Sequence, residues 1–119
     1  MEFQNGKSIF LQIADSITDK VISGELPAGE KIPSVRELAA EMGVNPNTIM
    51  RTYGELQTMN IIENQRGIGY FVLDNAQEII LQGKKQEFFN KVLPEFIRQA
   101  QVLGISPEVL KKYIENIEI

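Results

Sequence analysis

Apolar residues return at intervals of three and four along residues 8–23, which is the spacing of an amphipathic helix. Ser8 is a suitable N-cap for this first helix, and Gly24 is a suitable C-terminal stop. A loop rich in proline and glycine follows, with a short extended piece at Lys31 and Ile32. The apolar face of the first helix is predicted to contain Ile9, Phe10, Ile13, Ile17 and Val21.

Two further helices begin at strong capping signals. Ser34 and Glu37 have the spacing of a capping box, which predicts a second helix that ends at Gly43. Asn45 as N-cap and Pro46 as first helical residue predict the start of a third helix. Two helices joined by a tight turn that contains glycine form the helix-turn-helix pattern. The buried stripe of the third helix is predicted to contain Ile49, Tyr53, Leu56 and Met59.

Two short strands, at residues 61–63 and 69–73, are predicted after the third helix, with a turn at residues 64–69 between them. An isolated hairpin is marginally stable, so this one is expected to pack on the helices. A hairpin directly after a helix-turn-helix is the arrangement of a winged helix.

Helical spacing continues from the hairpin to the end of the chain. Asp74 is predicted to cap a long helix running to about Leu103, in which Pro94 should produce a kink or a break. Ser106 is predicted to cap a last helix. Packing these helices on each other leaves surplus apolar surface, which a two-fold related copy would cover. The residues expected in this dimer contact are Phe88, Phe89, Val92, Phe96, Val109 and Tyr113.

The predicted fold class is therefore α+β. Residues 1–74 are expected to form a winged helix-turn-helix domain of three helices plus a β-hairpin wing. Residues 75–119 are expected to form a C-terminal α-helical dimerisation pair.

The composition argues against catalysis. The 119-residue chain contains no cysteine and no histidine, so disulfides, thiolate metal sites and the commonest general base are all missing. We therefore expect no enzymatic activity, no cofactor and no metal site. The sequence shows neither a secretory signal nor an apolar run long enough for a membrane span, so we expect a cytoplasmic protein without a membrane partner.

The charge does not favour a nucleic-acid partner. The net charge is −4, and residues 1–74 contain 6 Lys and Arg against 10 Asp and Glu, whereas nucleic-acid-binding domains are usually basic. DNA binding by this chain must therefore depend on where the few cations lie.

Residues 21–73 nevertheless resemble the DNA-binding domain of the GntR family. The resemblance rests on the run S-G-x-x-x-x-G-x-x-x-P-S-x-R-E-L-A and on its spacing to the glycine-rich hairpin. The V-N-P-N-T sequence and the short tail, with L-G-I-S-P-E, are similar to the YtrA subfamily. The resemblance implies a dimeric, sequence-specific transcription regulator, expected to be a repressor, that binds a palindromic operator in double-stranded DNA.

In that family the third helix enters the major groove by its N-terminal end, and the arginine matching Arg36 contacts DNA. Arg51 is expected to reach a phosphate or a guanine edge, and Arg66 or Gln65 to probe the minor groove. Many members carry arginines where this chain has Pro46 and Met50, so neither their affinity nor their base preference carries over to this chain, although the absence of these arginines suits the V-N-P-N-T pattern of the subfamily. The residues expected at the DNA are Lys31, Ser34, Arg36, Asn45, Asn47, Thr48, Arg51, Gln65, Arg66 and Gly67.

The two arginines also have candidate partners on their own helices. Arg51 could form only a surface pair with Glu55, and Arg36 could pair with Glu37 or Glu41. The whole protein could be a winged-helix interaction module that does not bind DNA, or a ligand-responsive sensor with a groove at the dimer interface. The sequence does not indicate an effector.

Overall fold

The computed structural model describes residues 8–117, and this part of the chain contains six α-helices, one π-helical segment and three strands. The predicted domains also include residues 1–7, 118 and 119, which lie outside the described residues. In chain order the elements are α1 (Ile9–Ser23), β1 (Lys31–Ile32), α2 (Val35–Met42), α3 (Pro46–Thr58), β2 (Ile62–Gln65), β3 (Gly69–Val72), α4 (Ala76–Glu87), the π-helical segment (Phe88–Val92), α5 (Leu93–Val102) and α6 (Pro107–Glu115).

The chain divides into two compact units between Gln82 and Gly83. The division falls within α4, whereas the sequence suggested a boundary after Asp74. The first half of α4 belongs to the first unit because Ala76 and Ile80 are buried in the same core as α1, α2 and α3.

The first unit combines α1, α2, α3 and the first half of α4 with a small antiparallel sheet in the order β1-β3-β2. Lys31 of β1 pairs with Phe71, and Ile62 of β2 pairs with Val72. The predicted hairpin therefore gains a third strand from the short extended piece before α2. This pairing ties the hairpin to the helices through the backbone, and the winged helix-turn-helix fold is confirmed.

The core of the first unit lies where the helical faces meet the sheet. Apolar side chains from α1, α2, α3 and all three strands are buried there. Tyr53 of α3 packs edge-on against Tyr70 of β3, with the ring centroids 4.8 Å apart. Among the largest fully buried side chains are Ile13, Ile49, Tyr53, Leu56, Ile61 and Ile62.

Three local predictions for the first unit are wrong. Met59 was expected in the buried stripe but is 48% exposed, because α3 ends at Thr58 and Asn60 turns the chain with a φ of 62°. Asp74 does not cap α4, because the backbone turns through Asp74 and Asn75 and the helix begins at Ala76. Gln65 lies in β2 rather than in the turn, because it pairs with Gly69.

The second unit contains the end of α4, the π-helical segment, α5 and α6. The helical backbone passes through Pro94 without a break, and the π-helical segment comes directly before it. Within that segment the Leu93 N–H donates to the Phe88 carbonyl, five residues back. The wider turn makes room for the proline ring and absorbs its missing N–H group. Ser106 caps α6 as predicted, accepting a hydrogen bond from the Val109 N–H at 3.3 Å.

None of the helices in residues 8–117 combines the length and the apolar character that crossing a membrane would require.

Candidate nucleic-acid interface

The starts of α2 and α3 are fixed by side-chain caps, as the sequence predicts. The Ser34 hydroxyl accepts from the Glu37 N–H and the Glu37 carboxylate accepts from the Ser34 N–H, both at 3.1 Å. The Ser34 backbone N–H, and to a smaller extent the Ser34 hydroxyl, stabilise the Glu37 carboxylate and hold the pKa of Glu37 below its usual value. At the other helix, the Asn47 N–H donates to Asn45 Oδ1 at 2.8 Å, and the Thr48 N–H donates to the Asn45 carbonyl at 2.9 Å.

A buried tyrosine connects α3 to the start of α2. The Tyr53 hydroxyl donates to the Pro33 carbonyl at 2.7 Å, and the side chain is 1% exposed. Burial raises the pKa of Tyr53 well above its usual value, and the nearby Tyr70, Glu37 and Glu41 add to the shift. The segment that leads into α2 is therefore held against the middle of α3.

The first two turns of α3 present polar side chains to one groove. Asn47, Thr48 and Arg51 line an open groove of about 330 Å³, together with Ile9 and Phe10 of α1. Residues three and four apart share a helix face, which explains why these three side chains meet. The structure thus brings together three of the side chains that were expected at the DNA.

Arg51 does not form the surface pair with Glu55 that the sequence left open, since no ion pair joins the two side chains. Its guanidinium carbon lies instead 3.9 Å from the centre of the Phe10 ring. The role of Phe10 could not be found from the sequence, because the contact joins residues 41 positions apart whose proximity depends on how α1 packs on α3.

Arg36 is exposed on the first turn of α2 and, among the described residues, makes no ion pair with Glu37 or Glu41. The carboxylate of Glu37 is committed to the helix cap. Ser34, one of the residues expected at the DNA, is exposed but already engaged in the same cap. The arginine is therefore available to a ligand outside the chain.

The wing carries the remaining predicted residues. Arg66 and Gly67 are exposed in the hairpin turn, where Gly67 has a φ of 80°. Gln65 donates from Nε2 to the Glu63 carboxylate at 2.9 Å and lines a separate open cleft of about 600 Å³. Lys31 lies along the base of the wing, since its Cε would be 2.7 Å from a Cβ placed on Gly69.

The residues expected in a dimer contact are all exposed on the helices of the second unit. Phe88 is 46% exposed, Phe89 61%, Phe96 46% and Tyr113 73%. Among residues 83–117 only Ala100 is buried. The second unit therefore has almost no core of its own.

The first unit corresponds to a known family of regulators. Residues 10–72 match the model of the bacterial regulatory proteins of the gntR family. The chain belongs to the GntR family. The two arginines and the capped third helix thus lie in a domain that binds operator DNA in this family, and this protein is a GntR-family transcription regulator.

Relatives of this GntR-family protein match the second unit as well. The uncharacterised HTH-type transcriptional regulator YhcF of Bacillus subtilis is 41% identical over 115 residues, covering 97% of this chain and 93% of YhcF. The transcriptional repressor YtrA of the same organism is 35% identical over 109 residues, covering 92% of this chain and 83% of YtrA. The crystal structure of a GntR-family regulator from Bacteroides thetaiotaomicron, 42% identical, superposes with a TM-score of 0.78 and covers 91% of this chain and 95% of its own.

Proposed function

We propose that this GntR-family protein is a dimeric repressor that binds a palindromic operator through α3, Arg36 and the wing. The observation that carries the proposal is the shared groove at the start of α3, where Asn47, Thr48 and Arg51 lie together and Arg51 has no carboxylate partner among the described residues. Side chains of these types recognise base edges and phosphates in the major groove. Family membership favours this function over an interaction module without DNA binding.

The acidic net charge sets a limit on how one protomer binds. Lys31, Arg36, Arg51 and Arg66 are the cations expected at the DNA, while the whole chain carries a net charge of −4. Lys and Arg side chains that neutralise DNA phosphates release counterions from the DNA, and this release is the main source of affinity that does not depend on the DNA sequence. With so few cations, tight binding requires two protomers, whose second half-site is bound at a high effective concentration.

The second unit supplies a reason for dimerisation. A helical unit whose side chains are nearly all exposed gains little stability from its own packing. A second copy presents the same apolar faces, so a two-fold related contact can cover both at once. Such a dimer offers two copies of α3 to two half-sites.

The regulatory outcome is proposed from a relative. YtrA of Bacillus subtilis, which aligns with most of this chain, is named a repressor. A dimer bound across a promoter blocks RNA polymerase by occupying its site, and this mechanism requires no further domain.

The test of DNA binding is selection of duplexes from a random DNA pool, followed by affinity measurements at two salt concentrations. We expect a palindromic consensus, with Arg51→Ala and Arg36→Ala each weakening binding to the selected duplex by about 10-fold or more per half-site. Lys20→Ala is the matched control, because it removes an exposed cation from the last turn of α1. Failure to select any sequence, or equal losses for Lys20→Ala and Arg51→Ala, would refute the proposal.

The test of dimerisation is the mass of the protein in solution. Phe89 is 61% exposed, so burial of its exposed part would contribute up to about 3 kcal/mol per protomer. We expect a wild-type dimer and a Phe89→Asp monomer by sedimentation equilibrium. Gln101→Asp, which adds the same charge at an exposed polar position of α5, should remain dimeric. A monomeric wild type would rule out the dimer.

A further inference from the structure

The contact between Phe10 and Arg51 joins two different helices of the first unit. Phe10 lies in the first turn of α1, Arg51 lies in α3, and the guanidinium carbon is 3.9 Å from the ring centre. We propose that Phe10 is a positioning residue for DNA recognition, since its ring holds the Arg51 guanidinium in the orientation in which it contacts DNA. This inference rests on the proposed function, because it assigns Arg51 to the DNA.

Stacking on Phe10 leaves the hydrogen-bonding groups of Arg51 free. A guanidinium group is planar, with its N–H donors pointing outward in the plane. An aromatic ring occupies one flat face of that plane and uses none of the donors. Arg51 can therefore stay stacked on Phe10 while its edge donates two parallel hydrogen bonds to a guanine or a phosphate.

The first turn of α1, which carries Phe10, is fixed to α3. The Thr52 hydroxyl, next to Arg51, is fully buried and lies 3.3 Å from the Phe10 carbonyl and 2.8 Å from the Thr48 carbonyl. Ile13, one helical turn after Phe10, is 0% exposed in the core. The first turn of α1 thus has a defined position relative to Thr48 and Thr52 of α3, and therefore relative to the groove that Thr48 lines.

The expected advantage is a lower cost of ordering Arg51 on binding. An exposed arginine samples many rotamers, and only the fraction already in the competent orientation binds at full affinity. An exposed cation–π contact shifts such a population by a factor of about two to five. Loss of the ring should therefore weaken DNA binding by about two- to fivefold per half-site.

The experiment is a double-mutant cycle on a duplex selected by the wild-type protein. Phe10→Leu keeps the apolar volume but removes the aromatic face, and Phe10→Tyr keeps the face. We expect Phe10→Leu to bind DNA about two- to fivefold more weakly per half-site and Phe10→Tyr to bind like wild type. When Arg51 is already alanine, Phe10→Leu should have no further effect on DNA binding. A similar loss in both backgrounds would overturn the inference, since Phe10 would then act through the fold or by touching DNA itself.

A second readout reports the contact in the free protein. A proton stacked over an aromatic ring resonates upfield, so the Arg51 Nε–H signal should move downfield in Phe10→Leu and stay in place in Phe10→Tyr. Urea unfolding of each variant shows whether the fold is retained at the temperature of the binding assay. If the chemical shift of the Arg51 Nε–H is the same in Phe10→Leu as in wild type, the inference would also be overturned.

The two proposals fail in different ways. If Arg51→Ala binds the selected duplex like wild type, the assignment of Arg51 to the DNA is wrong, and the positioning role of Phe10 falls with it. If Arg51→Ala loses affinity while Phe10→Leu does not, the positioning role is wrong and the proposed function stands.

Discussion

Replacement of Tyr53 by phenylalanine isolates one partly buried hydrogen bond. The Tyr53 hydroxyl is the donor to the Pro33 carbonyl at 2.7 Å, and the ring is fully enclosed, so phenylalanine keeps the packing and deletes only the hydroxyl. A neutral hydrogen bond contributes about 0.5–1.5 kcal/mol net, and a buried acceptor left unpaired costs about 1–3 kcal/mol. Because Pro33 is exposed, water can replace the lost donor, and we expect a loss of about 1 kcal/mol.

The assay for Tyr53→Phe is thermal unfolding monitored by circular dichroism. For a chain of this length about 1 kcal/mol corresponds to a decrease in Tm of about 4 °C. Tyr70→Phe is the matched control: it makes the same chemical change next to Tyr53, and its hydroxyl has no hydrogen bond among residues 8–117. A Tm unchanged in Tyr53→Phe, or equally lowered in Tyr70→Phe, would contradict this account.

Alkaline pH gives an independent check of the same hydroxyl. The pKa of Tyr53 is raised in the folded protein, so above the unfolded pKa of about 10 the unfolded chain releases this proton before the folded chain does. The contribution of Tyr53 to stability is complete below that pH and is lost as the pH rises further. The difference in stability between wild type and Tyr53→Phe should therefore narrow above pH 10.

Three other changes have expected outcomes. Ser34→Ala removes the hydroxyl that caps α2 and the smaller cause of the lowered Glu37 pKa, while the backbone N–H, which is the larger cause, remains. The contribution of the hydroxyl is present above the unfolded pKa and is lost as the pH falls through the folded pKa, so the difference in stability between wild type and Ser34→Ala in urea unfolding should be slightly larger at pH 7 than at pH 3. Gly69→Ala should destabilise by about 1–3 kcal/mol, because Gly69 has a φ of 142° and a Cβ there meets the Lys31 side chain. Gly54 lies in an exposed part of α3 with open space around it, so Gly54→Ala should raise the free energy of unfolding by about 0.5–1 kcal/mol. If both substitutions change the free energy of unfolding in the same direction, backbone conformation does not decide the effect.

Sequence reasoning was most accurate where a local signal decides the structure. Ser34, Asn45 and Ser106 mark helix starts correctly because a cap involves only residues two or three positions apart. It failed at Met59, which has the apolar spacing of α3 but lies beyond the end of that helix at Thr58. It also failed at Asp74, which is a good capping residue type but lies in a turn before α4 begins at Ala76.

Features that depend on packing could not be predicted in the same way. The π-helical segment before Pro94 is one of several ways to accommodate a proline, and the sequence gives no preference among them. The Phe10–Arg51 contact depends on the position of α1 relative to α3, although each residue was assigned to its own helix correctly. The polar side chains of α3 were identified, but their aromatic neighbour was not.

The first turn of α3 has no backbone amide to spare at its first three positions. Pro46 lacks the group, and the amides of Asn47 and Thr48 are both satisfied by Asn45. Many helices bind phosphate through free N–H groups in the first turn, but here the N–H groups of Asn47 and Thr48 already donate to Asn45. Under the proposed function, the start of α3 then contacts DNA through its side chains, so exchanges at Asn47 or Arg51 would change which operators are bound while the start of the helix stays intact.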